Sequence, residues 1–84
     1  MGFMRELEAL RNRGFTFLPL LDEKGEIDLL VGLLGHHGVF DRIIIHSETD
    51  AVAERERDRR VVWSYYGTTA NTALALLELD RRHA

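Results

Sequence analysis

The chain has 84 residues, 45% of them hydrophobic and 30% charged, with 11 Lys and Arg against 14 Asp and Glu for a net charge of −3. That length allows one domain, spanning 1–84, which buries only about 60–65% of the surface its unfolded form exposes. The balance is globular rather than disordered, and its mild acidity argues against a general nucleic-acid or anionic-membrane binder. There is no cysteine, which excludes disulfides, thiolate metal sites and cysteine nucleophiles and suits a reducing cytosol. No apolar run approaches the length of a membrane-spanning helix, and charges occupy the place of a signal peptide's apolar core, so a cytoplasmic protein is expected.

Phe3, Leu7 and Leu10, widened by Met4 and Ala9, share one helical face, so the spacing predicts a short amphipathic helix over 3–12, with Gly14 as its C-cap. Phe15–Leu21 reads as a strand with Phe15, Phe17 and Pro19 on one face and Thr16, Leu18 and Leu20 on the other. Pro19 lacks an N–H and favours a sheet edge. DEKGE at 22–26 is a turn. The apolar run Ile27–Leu34 fits a short buried helix as well as a strand, but Gly32 and Gly35 weaken a helix, and the preceding turn closes a hairpin, so the strand is favoured.

His36-His37-Gly38 is a second turn, leading into Val39–His46, where Ile43-Ile44-Ile45 is the strongest strand signal. SETD at 47–50 turns the chain into a more exposed strand over 51–57, and Asp58-Arg59-Arg60 turns it again into Val61–Tyr66. Gly67 ends that strand, and Thr68 and Thr69 offer hydroxyls to the start of a helix propagated by Ala and Leu. Its expected buried stripe is Ala70, Ala73, Leu74 and Leu77 with Leu76 beside it, while Glu78, Arg81 and Arg82 reach water. The order predicts an α+β fold: a mostly antiparallel five-stranded meander flanked by a short N-terminal and a longer C-terminal helix. A helix of about 14 residues spans about 21 Å, close to a six-residue strand at about 3.3 Å per residue, so it can lie along the sheet. Strands 27–34 and 39–46 are apolar on both sides. If both helices pack on one face, the other stays sticky.

DAVAERER at 50–57 followed by VVWSYYGTTANTALALLEL at 61–79 resembles a group of small actinobacterial proteins of unknown function, in which an Asp-Ala strand, an aromatic strand and a Leu/Ala-rich helix share this order. The likeness covers about a third of the chain. It implies strands through the centre and brings no activity with it.

No catalytic signature is present. His36 and His37 point apart if extended and so make a poor chelate. A metal site would need His46, Asp41, Glu48 or Asp50 to converge, and the expectation is solvated turn histidines with no metal and no cofactor. His46, Ser47 and Asp50 lack the nucleophile elbow of a Ser-His-Asp site. The alternating run 54–59 would put three arginines on one face of an extended backbone. Arg55, Arg57, Arg59 and Arg60 could then meet phosphates beside Trp63 and Tyr65, against the plainer reading of a solvated edge strand. Gly67-Thr68-Thr69 could receive an anion but lacks the lysine of a phosphate loop, and ordinary capping is the simpler role. Trp63, Tyr65 and Tyr66 could floor a small-molecule pocket, though Trp63 is expected to be core.

The expected function is a non-catalytic interaction module, homodimeric or binding another protein through its second apolar sheet face or an exposed edge. The alternatives are a small-molecule or anion-binding protein using Trp63, Tyr65, Tyr66, Thr68 and Thr69, and third a nucleic-acid-binding module using Arg55, Arg57, Arg59 and Arg60.

Overall fold

The computed structural model describes residues 4–83, and the side chains of 5–79 among them. The chain runs α1 (Met4–Arg13), β1 (Thr16–Leu21), β2 (Ile27–His36), β3 (Val39–Ser47), β4 (Asp50–Arg57), β5 (Arg60–Gly67) and α2 (Thr69–His83). The strands form one antiparallel sheet in the order β1-β2-β3-β4-β5, which is the expected α+β meander. Ile27–Leu34 is a strand, and β2 pairs with β3 from Leu30↔Ile45 to His36↔Val39.

The connections are short because their residues accept unusual backbone. Asp22 Oδ1 accepts from the amides of Lys24 and Glu26, and Gly25 takes a positive φ, so the first hairpin closes on itself. His37 and Gly38 both have positive φ, as do Asp58 and Arg59, the backbone of two-residue hairpin turns that match strand twist. At the end of α1, Gly14 has φ 118, with its amide donating to Arg11 O and that of Phe15 to Leu10 O, so the helix stops on a glycine cap.

Period-two alternation divides the strand residues between two faces. On one face Phe15, Ile43, Ile45, Ala51 and Ala53 are buried with Leu7 and Leu10 of α1 and Ala73, Leu76 and Leu79 of α2. Both helices therefore share that face. Gly32 lies there too, and a Cβ on it would stand 2.6 Å from Phe17 Cε1, so the Phe17 ring occupies the space a side chain would take.

Two expectations change. β4 is interior, flanked by β3 and β5, and Ala51, Ala53 and Arg55 are buried, so it is neither an edge nor the more exposed strand. Its charged residues sit in a strand whose small inward alanines let α2 come close. The stripe of α2 is also rotated: Thr69, Thr72, Ala73, Leu76 and Leu79 are buried, while Leu74 is 45% exposed. Thr69 Oγ1 donates to Ser47 O at 2.7 Å and Thr72 Oγ1 to Ala51 O at 3.5 Å, and these bonds turn the threonines toward the sheet. Phe3 and the side chains of Met4, Arg81, Arg82 and His83 lie outside the described residues.

Candidate functional site

The second face of the sheet has no helix on it among the described residues. It presents Leu18 and Leu20 from β1, 46% and 49% exposed, then Leu29, Val31 and Leu33 from β2, and Phe40 and Ile44 from β3. An apolar area over β1 and β2 that reaches Phe40 and Ile44 on either side of Arg42 in β3 is the kind of surface that marks an interaction site. Toward β4 the face becomes charged. Arg42 donates through Nε to Glu54 Oε1 at 2.8 Å and through Nη1 to Glu56 Oε1 at 3.0 Å. Burial opposes the charge on Arg42, but the bonds to Glu56 and Glu54 outweigh it and hold the guanidinium above its ordinary pKa. At the β5 edge, Tyr66 stands exposed with its phenol pKa raised, first by a hydrogen-bonding interaction with Asp50 and then by that residue's negative charge.

On the helix-covered face lies a buried ion pair. Asp41 is 2% exposed and Arg55 5%. Arg55 Nε donates to Asp41 Oδ1 at 2.7 Å and Nη2 to Oδ2 at 2.8 Å, a bidentate geometry. His36 Nε2 approaches the same Oδ2 at 3.2 Å. The three meet because Asp41 pairs across β3 and β4 with Arg55 and across β3 and β2 with Leu34, two residues from His36. This pair was legible as parity, since Asp41 alternates in phase with Ile43 and Ile45, and Arg55 with Ala51 and Ala53.

The sequence-predicted residues fall apart into separate places. Arg55 is committed to Asp41, β4 ends at Arg57, and Arg59 sits in a turn with φ 67, so the four arginines do not form one face. The extended backbone that would have aligned them stops two residues early. Arg57, Arg59 and Arg60 are exposed at one end of the sheet.

Trp63 and Tyr65 share the helix-side face of β5, across from Arg55 and Ala53, while Tyr66 points to the other face. Trp63 is half-buried rather than core, because α2 stands off from it and leaves a groove of about 290 Å³ whose lining includes Trp63, Tyr65, Asn71, Leu74 and Glu78. Thr68 and Thr69 are not part of that groove. Thr68 Oγ1 accepts from Asn71 N at 3.1 Å, Thr69 N donates to Glu48 O at 2.9 Å, and Thr72 N donates to Thr68 O at 2.9 Å. The helix start is thus capped from within the protein.

Of the histidines, His36 is a strand residue bonded to Asp41 rather than a solvated turn residue. The rings of His36 and His37 do not diverge but meet edge to face with centroids 6.1 Å apart, since the positive φ of His37 folds it back. His46 lies at the far end of β3 from this pair, exposed. Among the described residues no group of three or more His, Asp or Glu is placed to hold a metal. Ser47 Oγ accepts from Thr49 N at 3.3 Å within its own turn. Among the described residues no helix is long and apolar enough to cross a membrane. No family model, no curated protein and no solved structure matches this chain.

Proposed function

We propose that this chain is a non-catalytic, cytoplasmic interaction module that pairs with a second copy of itself through the open face of its sheet. The observation that carries the reading is that face, apolar over β1 and β2 and at Phe40 and Ile44 of β3, and without a covering layer among the described residues. Five strands at about 4.8 Å spacing and about 20 Å of strand length give a flat area of about 480 Å² per copy, or about 960 Å² for a pair. Side-chain relief raises that toward the roughly 1,200 Å² at which stable interfaces begin. A cysteine-free chain is at home in a reducing compartment, and the resemblance to small actinobacterial proteins adds no activity to this reading.

Light scattering at micromolar concentration is expected to give about twice the 9.7 kDa of one chain. Val31→Glu, which places a charge in the middle of the face, is expected to give a monomer with an unchanged circular dichroism spectrum. A parent protein that runs as a monomer sinks the proposal.

A second reading rests on the groove between β5 and α2. Its aromatic faces and Glu78, the charged group among its described lining residues, suit a small organic cation rather than an anion. Tetramethylammonium is then expected to change Trp63 emission saturably in the parent protein and not in Glu78→Gln, and a parent protein with no saturable change removes this reading.

A further inference from the structure

The open face carries one row of uncharged side chains that crosses the sheet from edge to edge. Leu18 pairs with Val31, Val31 with Ile44, Ile44 with Val52 and Val52 with Tyr66. The row is not uniform along its length. Its β1 to β2 part lies among Leu20, Leu29 and Leu33, whereas from β3 to β5 it runs beside Arg42, Glu54 and Ser64.

The strand ends are electrically opposite. The end that holds the turns at 22–26 and 48–49 has Asp22, Glu23, Glu26, Asp28, Glu48 and Asp50 against Lys24. The other end holds the turns at His37–Gly38 and Asp58–Arg59, and there Arg57, Arg59 and Arg60 outnumber Glu56 and Asp58.

Two identical faces can meet about a two-fold axis that lies between them and runs either along the strands or across them. An axis along the strands sets β1 over β5. The leucines of one copy then cover Ser64 and Tyr66 of the other, and like-charged ends lie together. An axis across the strands sets every strand over its own copy with its direction reversed. The apolar parts then cover each other, and each acidic end lies over a basic one. Burial and charge favour the same choice.

We propose that two copies join about a two-fold axis lying along the row Leu18, Val31, Ile44, Val52 and Tyr66, so that each of these residues faces its own counterpart. This rests on the self-association proposed above and adds its geometry.

The chain has no cysteine, so a single introduced thiol is the only one present. Leu18→Cys and Tyr66→Cys lie at opposite ends of the row. A short bis-maleimide that spans the roughly 10 Å between packed sheets is expected to link Leu18→Cys chains to one another, and Tyr66→Cys chains to one another. In a mixture of the two variants, one carrying a size tag, cross-links between them are expected only at background. Four strand spacings of about 4.8 Å separate the two positions by about 19 Å in the plane of the sheet, beyond the linker's reach. The axis along the strands gives the reverse result, with efficient linkage in the mixture and little in either variant alone. Light scattering of the same samples separates the two levels of the proposal. A dimer that links in the mixture, or links in no combination, overturns the axis alone, whereas a monomer overturns the axis together with the self-association.

Discussion

The two faces of this sheet use the same chemistry at different depths. On the helix-covered face a guanidinium grips one carboxylate, Arg55 on Asp41, with both side chains almost wholly out of water. On the open face another guanidinium bridges two carboxylates, Arg42 to Glu54 and Glu56, with all three partly solvated. The bond lengths hardly differ, so the contrast is one of solvation. Removing one member of the covered pair strands a charge that water cannot reach, while in a single chain the open trio can fall back on solvent. The covered face also makes room for α2 with Ala51 and Ala53 on β4, where the open face carries Val52 and Glu54. A face shaped to receive a layer from its own chain differs from one that none of the chain's described helices covers.

The largest expected effect separates the two guanidinium clusters. Arg55→Met leaves Asp41 buried without its bidentate partner and is expected to cost about 3–5 kcal/mol in urea denaturation. Arg42→Met on the open face, measured at a concentration where the chain is a monomer, is expected to cost at most about 1 kcal/mol. Equal losses would mean that burial does not distinguish the faces.

The glycines of β2 sharpen the comparison at smaller scale. A methyl at Gly32 meets the Phe17 ring and Ile43 Cγ2 at 2.9 Å, so Gly32→Ala is expected to destabilise by about 1–3 kcal/mol through overpacking. At Gly35 the nearest side-chain atom is Phe40 Cδ2 at 3.7 Å, ordinary contact, and Gly35→Ala is expected to be neutral or to stabilise by up to about 1 kcal/mol. Thermal melts of the two variants should move in different directions, or one should not move at all. A parallel loss in both breaks the distinction.

The smallest effect concerns pH. The Asp50 interaction raises the Tyr66 phenol above its ordinary value, so the folded state binds this proton more tightly than the unfolded state. Its stabilisation is present below the unfolded tyrosine pKa and is lost as pH rises through the folded one. Ultraviolet titration should show one tyrosine ionising late, and Asp50→Asn should return it toward the ordinary value. A late tyrosine that persists in Asp50→Asn would place the cause elsewhere.

Much of this architecture was readable from local pattern. Alternation placed Phe15, Phe17 and Pro19 opposite Leu18 and Leu20, and the missing N–H of Pro19 put β1 at an edge, where it lies. Gly14, Gly25 and Gly38 marked chain reversals because each adopts a positive φ. Relative position was harder. Glu54–Arg57 looks solvated when read alone, yet hairpins at 48–49 and 58–59 enclose it between β3 and β5. The helix stripe differs from its apolar periodicity for a related reason, since that periodicity favours Leu74 over Thr69 and Thr72. The two threonines are inward because Ser47 O and Ala51 O lie within reach of their hydroxyls.

The sequence by itself determined the elements, their order and their antiparallel pairing, because strand alternation, helix caps and two-residue turns act over a few neighbouring residues. It also determined that the sheet would be apolar on both sides. Only the tertiary structure decided that α1 and α2 share one face, that Arg55 closes on Asp41 rather than joining a basic surface, and that five uncharged side chains align from Leu18 to Tyr66. Those outcomes depend on register and burial summed over strands far apart in the chain, and no local preference of a residue contains them.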